Sequence, residues 1–203
     1  MIAPPRSIVL ASASPRRYDL LRSLGLSFSV RPASIAETPR PGEAAGDMAE
    51  RLAREKAAGI QALPEPSLVL AADTVVALGG RLLGKPRDDR EARDMLSRLA
   101  GATHEVITGY ALRLTPENSL HSGRALSRVG FVPMSRAEID WYVGTGEGRD
   151  KAGAYALQGI GALFISRVEG SYTNVIGLPL DQLYPHLRRL GLIGRHDADE
   201  APS

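Results

Sequence analysis

Apolar residues are concentrated in a run near the middle of the chain, from Leu68 to Leu78. Runs of aliphatic and β-branched residues are typical of a β-strand that is covered on both faces. Gly79-Gly80 follows, and two consecutive glycines supply the positive φ angles that a tight hairpin turn needs. The polar pair Asp73-Thr74 interrupts the run, and a buried carboxylate is costly unless it is hydrogen-bonded, paired with a cation or bound to a metal. The pattern therefore predicts a central hairpin with a functional acid in its first strand.

The returning strand of this hairpin leads to Lys85. If the chain turns at Gly79-Gly80, Thr74 and Lys85 lie roughly opposite each other, so that an acid, a hydroxyl and an ammonium group could converge on one site. The alternative is that Asp73-Thr74 marks a strand break and that Lys85 is an ordinary exposed lysine. The pattern alone is compatible with both interpretations.

A short apolar strand is predicted from Ser7 to Ala11, followed by a helix that ends near Leu24. Ser14 as N-cap and Pro15 at the first helical position are a strong helix-start signal. The same turn carries Ser12, Arg16 and Arg17. Free backbone N–H groups, the helix dipole and guanidinium groups all favour phosphate, so the turn is a candidate anion site. The alternative is simple capping with solvated arginines.

The next segments are less regular. Leu26 to Val30 alternates like a strand with one buried face, and residues 31 to 46 form a proline-rich loop that carries Glu37, a candidate ligand-binding acid or a solvated one. Asp47 is predicted to cap a helix that runs to about Ala62. Lys56 lies on this helix, and its spacing alone predicts a surface lysine.

The second half of the chain alternates between helix and strand signals. The predicted elements are a helix opened by the capping box Asp88-x-x-Glu91, strands from His104 to Leu114 and from Leu120 to Met134, a helix opened by Ser135-x-x-Glu138, a strand from Ala162 to Val168, a returning segment from Tyr172 to Ile176, and a last helix from Leu180 to Leu190. His104 is either a general base or a structural residue. The glycine-rich segment from Gly144 to Gly161, which carries Gln158, suggests a loop that closes on a ligand or an irregular connection.

Composition narrows the class of protein. The 203 residues are 43% hydrophobic and 24% charged, which is typical of an ordinary globular protein. Cysteine is absent, which excludes disulfides, thiolate nucleophiles and cysteine-based zinc sites. No apolar run approaches the roughly 18 residues of a membrane helix, and no signal peptide is visible, so we expect a cytoplasmic protein. A net charge of +2 is too small to indicate nucleic acid and suits an anionic small molecule.

Taken together, the motifs resemble the Maf family of nucleoside triphosphate pyrophosphatases over nearly the whole chain. The matching blocks are Leu10-Ala-Ser-Ala-Ser-Pro-Arg-Arg17, Arg51-Leu-Ala-Arg-Glu-Lys-Ala57, Ala72-Asp-Thr-Val-Val76, Gly84-Lys-Pro-Arg-Asp88, Lys151-Ala-Gly-Ala-Tyr155, Gln158-Gly159, Gly170-Ser-Tyr172 and Val175-Ile-Gly-Leu-Pro179. Each block is weak alone, but the set in this order is specific.

The resemblance implies an α/β fold in which helices flank a long, mixed, twisted sheet, with two lobes around a central cleft, as in inosine triphosphate pyrophosphatases. It implies one such domain over residues 1–194. The polar residues from about Arg195 indicate a flexible tail over 195–203. It also implies a homodimer and a divalent metal cation, Mg²⁺ or Mn²⁺.

The resemblance also suggests roles for individual residues. Asp73 matches the proton acceptor, and Glu37 matches an acid near the metal, which Asp73 could share. The family often has two adjacent acids in that loop, whereas Ala36 precedes Glu37 here. The residues that match or adjoin substrate positions are Ser12, Arg16, Arg17, Lys56, Thr74, Lys85 and Gln158.

Gln158 bears on the choice of base. A glutamine amide offers a donor and an acceptor, which complement the N3–H and carbonyl groups of uracil or thymine. Arg16, Thr74 and Gln158 also match the subtype that acts on dTTP and UTP, so we expect hydrolysis of these nucleotides to the monophosphate and pyrophosphate. The alternatives are a 7-methyl-GTP pyrophosphatase, a nucleotide-binding regulator of septum formation without turnover, and a nucleic-acid binder. The last is disfavoured by an aromatic content of only 5%.

Overall fold

The computed structural model describes residues 5, 7–64 and 66–194. The strands are β1 Ser7–Leu10, β2 Ser29–Val30, β3 Ser67–Leu78, β4 Arg81–Leu83, β5 Thr103–Thr115, β6 Ser119–Phe131 and β7 Ile165–Glu169. The helices are α1 Pro15–Arg22, α2 Ala45–Gly59, α3 Asp89–Leu99, α4 Arg136–Thr145, α5 Tyr172–Ile176 and α6 Leu180–Arg189. The predicted tail, 195–203, lies outside the described residues.

The strands form one mixed sheet in the order β2-β1-β3-β5-β6-β7, with β4 added to β3. β1 runs parallel to β2 and β3, and the remaining pairs are antiparallel. The predicted α/β fold with a mixed sheet flanked by helices is therefore confirmed.

The central hairpin also forms where the glycines predict it. Val76 pairs with Leu83 and Leu78 with Arg81, and both turn glycines have positive φ. If this register continued, Thr74 would lie opposite Lys85, as predicted, although β4 itself ends at Leu83.

A gap in the sheet exposes one edge of β3. On one side β3 pairs with β5 from Ser67 to Ala77. On the other side β1 covers only the stretch up to Leu70, and β4 takes over only at Val76. Asp73 lies in the middle of the stretch between them, where neither strand pairs with this edge.

The chain connections make the end of β1 a natural ligand site. The connection from β1 through α1 leads to β2 on one side of β1, and the connection from β2 through α2 leads to β3 on the other side. Crevices for ligands form at such points, where successive crossovers diverge at the carboxyl end of a parallel strand. The loop from Ala11 to Ser14 therefore opens into a crevice beside the gap in β3.

Two large apolar clusters pack at opposite ends of the long strands. One joins α3 and α4 to the β4 end of the sheet and includes Leu96, Val129 and Tyr142. The other joins α6 to the β1 end and includes Leu10 and Leu183. The gap in β3 lies between them. Within the described residues, no helix is both long enough and apolar enough to span a bilayer.

Several predicted elements differ in the structure. α2 begins at Ala45 rather than after Asp47, whose carboxylate is held by Arg124. β2 is shorter than the predicted strand. The segment from Tyr172 to Ile176 is a helix, because Ser171 accepts a hydrogen bond from the backbone N–H of Asn174 and caps it.

The capping box at Asp88 is only half formed. Asp88 accepts a hydrogen bond from Glu91 N, but the Glu91 carboxylate accepts from Arg87 N instead of Asp88 N. The Ser135 box is complete.

Candidate functional site

One cavity of about 820 Å³ opens at the gap in β3. Its size is within the range of small-molecule sites. The residues around it include every predicted site residue, namely Ser12, Arg16, Arg17, Glu37, Lys56, Asp73, Thr74, Lys85 and Gln158. The structure therefore brings together residues from α1, α2, β3 and four loops. Their functional roles remain predictions from the sequence.

The floor of the cavity is an ion-pair cluster around Lys56. Its Nζ atom lies 2.6 Å from Asp73 Oδ1 and 2.6 Å from Glu37 Oε1. Lys56 and Asp73 are both buried, whereas the Glu37 side chain is about half exposed. The prediction of a surface lysine from helical spacing was wrong, because α2 packs its Lys56 face against the sheet.

The two carboxyl groups experience this cluster differently. Burial raises the pKa of Asp73 above its ordinary value, and the nearby Lys56 ammonium offsets that rise only in part. Burial also acts to raise the pKa of Glu37, but the hydrogen bond and charge of Lys56, together with the charges of Lys85 and Arg17, outweigh it and hold the pKa below its usual range. Asp73 is thus the stronger proton acceptor of the pair.

Arg17 fixes the first turn of α1 against the sheet. Its guanidinium donates from Nε to the Gly177 carbonyl at 2.7 Å, from Nη1 to Ser12 Oγ at 3.1 Å, and from Nη2 to Thr74 Oγ1 at 2.9 Å. Burial lowers the pKa of Arg17, although the charge of Asp73 acts in the opposite direction. Three of its five N–H donors therefore serve the fold of the site.

A buried polar network continues from Thr74 into the sheet. The hydroxyl groups of Thr74 and Thr108 lie 2.9 Å apart, and the Thr108 hydroxyl donates to the Asn174 carbonyl at 2.9 Å. The Asn174 side chain accepts from Thr108 N at 3.1 Å and donates to Val106 O and to Ser127 Oγ. Satisfied buried networks of this kind rigidify a site. Asn174 was not predicted, because it follows the polar residues Ser171 and Thr173 and has no distinguishing signal in the sequence.

The remaining predicted residues lie at the cavity mouth. Lys85 and Gln158 are exposed, and Arg16 is partly exposed. Within the described part of the chain, Arg16 and Lys85 have no ion-pair partner and Gln158 has no side-chain hydrogen bond. Arg16 follows the first residue of α1, where backbone N–H groups and the helix dipole also favour an anion. These cationic groups are therefore available to a ligand.

Sequence reasoning did not single out two residues of the glycine-rich segment, Tyr155 and Glu147. Tyr155 lines the cavity, and its hydroxyl lies 2.7 Å from His104 Nε2. His104 is buried among aromatic rings and does not line the cavity, which supports the structural interpretation of this histidine. Glu147 carries the densest set of contacts in the glycine-rich segment, although its only sequence signal was an acid between Gly146 and Gly148.

The donor set suits a hard divalent cation completed by the substrate. Within the described ranges no group of three or more His, Cys, Asp or Glu side chains is placed to hold a metal. Glu37 and Asp73 supply two carboxylates, and Lys56, which pairs with both, supplies one ammonium group. Mg²⁺ typically takes one or two carboxylates and fills its other positions with water and phosphate oxygens. Two carboxylates in a cavity that is also lined by cationic side chains fit that pattern.

Comparison with known proteins gives a consistent result. A family model described as Maf-like protein matches residues 7–190. A dTTP/UTP pyrophosphatase from Geobacter sulfurreducens is 48% identical over 92% of this chain and 97% of its own length. Proteins with the same name are 51% identical in Myxococcus xanthus, over 95% of this chain and 96% of theirs, and 52% identical in Anaeromyxobacter dehalogenans strain 2CP-C, over 91% and 94%.

Proposed function

The chain belongs to the Maf family, and from that premise we propose that it is a nucleoside triphosphate pyrophosphatase that hydrolyses dTTP and UTP to the monophosphate and pyrophosphate. The relatives named dTTP/UTP pyrophosphatase share about half of their residues with this chain over almost its full length. The single observation that carries the assignment of the site is the buried Asp73 carboxylate beside a cationic crevice.

In the proposed reaction, Asp73 is the general base. A water molecule attacks the α-phosphorus in line while Asp73 accepts its proton. The new P–O bond forms as the bond from the α-phosphorus to the bridging oxygen breaks, and pyrophosphate leaves. A raised pKa makes the Asp73 carboxylate a better proton acceptor than an ordinary surface acid.

The cationic groups are proposed to hold the triphosphate. Arg16 and the backbone N–H groups at the start of α1 approach from one side of the cavity, and Lys85 approaches from the loop after β4. Lys56 lies at the floor of the cavity beside Asp73, the proposed general base. These charges offset the negative charge that develops on departing pyrophosphate. Arg17, whose guanidinium already donates to three protein oxygens, supports this arrangement by holding Ser12 and Thr74 in place.

Glu37 and Asp73 are the residues that would hold a divalent cation, Mg²⁺ or Mn²⁺. When bound, such a cation would neutralise charge on the phosphate oxygens. Lys56 bridges the same two carboxylates, so it keeps them close together and limits their mutual repulsion.

Gln158 is proposed to read the base. It is exposed at the mouth of the cavity, and within the described residues its side chain makes no hydrogen bond, so its amide is available to the base of a nucleotide. Its amide can both donate and accept, as a uracil or thymine edge requires. An acid at this position would instead suit a cationic, donor-rich base such as 7-methylguanine.

The proposal extends to the setting of the enzyme. We expect it to act in the cytoplasm, where nucleoside triphosphates are made and used, and to form a homodimer as the family resemblance implies. Size-exclusion chromatography with light scattering measures the second expectation directly, and a monomer at micromolar concentration would contradict it.

The test is a nucleotide panel with pyrophosphate detection, with and without Mg²⁺ or Mn²⁺. The expected result is metal-dependent pyrophosphate release that is fastest with dTTP and UTP. Faster hydrolysis of 7-methyl-GTP would contradict the pyrimidine assignment. Nucleotide binding without pyrophosphate release from any nucleotide would contradict the enzymatic function and support a regulator instead.

A further inference from the structure

One carboxylate holds the glycine-rich segment that carries Gln158. Glu147 follows the end of α4, and its Oε1 atom accepts a hydrogen bond from Ile160 N at 2.8 Å. Its Oε2 atom accepts from Gly161 N at 2.8 Å and from the Tyr142 hydroxyl at 2.7 Å. A side chain thirteen residues from Ile160 thus satisfies the first backbone donors of the 3₁₀ turn Ile160–Phe164.

The other side of Gln158 is tied to the same group of residues. The Tyr142 hydroxyl accepts a hydrogen bond from Ala156 N at 3.2 Å while it donates to Glu147. Tyr142 is only 1% exposed and belongs to the apolar cluster of α3 and α4. Gln158 therefore lies between two backbone anchors, at Ala156 and Ile160, that meet on one buried tyrosine and one carboxylate.

Gly159 shows how closely this carboxylate approaches the backbone. Its φ is +105°, a conformation that favours glycine, and a Cβ atom at this position would lie 2.1 Å from Glu147 Oε1. The carboxylate therefore packs directly against the residue that follows Gln158. A side chain at position 159 would collide with this carboxylate.

The hydrogen bonds from Ile160 N, Gly161 N and the Tyr142 hydroxyl to Glu147 are here called the clasp. The clasp requires the ionised form of Glu147. All three of its partners are hydrogen-bond donors, and a carboxylate offers acceptors only. Burial acts to raise the pKa of Glu147, but the hydrogen bonds from Tyr142, Gly161 and Ile160, together with the charge of Lys151, outweigh it and lower the pKa below its usual value. Glu147 does not line the cavity itself.

We propose that Glu147 is a positioning residue for base recognition, which acts through Gln158 rather than on the substrate. This inference rests on the proposed function, because it assumes that the base binds at Gln158. By holding Ala156 and Ile160 at fixed points, the clasp removes the conformational freedom that Gln158 would otherwise lose when a nucleotide binds. Without the clasp, the base subsite loosens while the phosphate crevice keeps its geometry.

The experiment compares dTTP with inorganic tripolyphosphate, which has the phosphates but no base. Dissociation constants are measured for wild type, Glu147→Ala, Gln158→Ala and the double variant, and Glu147→Gln serves as the conservative replacement. We expect Glu147→Ala to weaken dTTP binding on the order of 10-fold, equivalent to one charge-assisted hydrogen bond, and to leave tripolyphosphate binding unchanged. Glu147→Gln keeps one acceptor oxygen and is expected to lose less.

The double variant separates positioning from an independent effect. If Glu147 acts through Gln158, adding Glu147→Ala to Gln158→Ala causes little further loss of dTTP affinity. Leu163→Ala, at a 68% exposed position in the same 3₁₀ turn, is the matched control and should bind both ligands like wild type. Circular dichroism and the thermal midpoint confirm that each variant is folded.

Three results would overturn the inference. They are an equal loss of tripolyphosphate and dTTP binding in Glu147→Ala, additive losses in the double variant, and a wild-type protein that binds dTTP no more tightly than tripolyphosphate. Absence of pyrophosphate release in wild type would contradict the proposed reaction instead, and the two dissociation constants would still decide the role of Glu147.

Discussion

Asp73 and Gly109 lie directly opposite each other on β3 and β5. A Cβ atom at Gly109 would come within 2.2 Å of the Ala49 backbone, so the missing side chain lets α2 approach the sheet at this point. Lys56 lies two turns further along the same helix and reaches Asp73 Oδ1 at 2.6 Å. The buried ion pair at the site therefore depends on a close contact between helix and sheet.

Replacement of this glycine should damage both stability and the site. We expect Gly109→Ala to lower the free energy of unfolding by about 1–3 kcal/mol or more, because an overpacked contact with backbone atoms cannot relax easily. Denaturant unfolding measures the change. Gly144→Ala, in α4 where a Cβ would meet open space, is the control and should be neutral or slightly stabilising. Equal stability of Gly109→Ala and wild type would argue against the close approach.

Lys56 is predicted to hold down the pKa of Asp73. Lys56→Met removes the ammonium that offsets the effect of burial, so the pKa of Asp73 should rise further above its ordinary value. Activity requires the ionised carboxylate, so it is lost as pH falls through this pKa, and the acidic limb of the pH profile of kcat/KM should move to higher pH. Arg54→Met, at an exposed position on the same helix, should leave the limb in place. An unmoved limb in Lys56→Met would contradict this role.

The two adjacent arginines of α1 should respond differently to substitution by lysine. Arg17→Lys loses the planar guanidinium that reaches Gly177, Ser12 and Thr74, and should lower stability by about 1–3 kcal/mol. Arg16→Lys should leave the thermal midpoint nearly unchanged and weaken tripolyphosphate binding instead. A loss of stability in Arg16→Lys, with a loss of tripolyphosphate binding alone in Arg17→Lys, would contradict these two roles.

An ion pair whose two residues do not line the cavity should make stability depend on acid pH. The hydrogen bond from Arg51 lowers the pKa of Glu43 to about 2. A depressed carboxyl pKa stabilises the folded state above the pKa of the unfolded chain, and that contribution disappears as pH falls toward 2. The difference in thermal midpoint between wild type and Glu43→Gln should thus be constant near neutral pH and shrink between about pH 4.5 and 2. A difference that is unchanged at pH 2 would contradict the shift.

Local signals in the sequence predicted much of the fold. Gly79-Gly80 located the hairpin, and Ser14-Pro15 located the start of α1, because turn and cap preferences depend on neighbouring residues. Asp73 could be identified as a site candidate because an acid in an apolar strand conflicts with its surroundings.

Features set by distant packing could not be predicted in this way. Helical spacing predicts an exposed Lys56, whereas the structure buries it because α2 packs against the sheet, where Gly109, far along the chain, leaves room for the helix. The segment from Tyr172 to Ile176 contains β-branched residues, which favour a strand. The hydrogen bonds of the Asn174 side chain to β5 and β6 instead favour a helix. Glu147 accepts hydrogen bonds from two backbone N–H groups thirteen and fourteen residues away, at a distance that no local pattern encodes.

The most direct test of the proposed chemistry is the turnover of Asp73→Asn with dTTP at neutral pH, with dTTP binding measured on the same preparation. Asparagine keeps the size of the side chain and one acceptor oxygen but cannot take up the proton of the attacking water. A general base at this position predicts that kcat falls by roughly 10²-fold or more while the dissociation constant for dTTP stays measurable. Turnover close to that of wild type would contradict the assignment of Asp73.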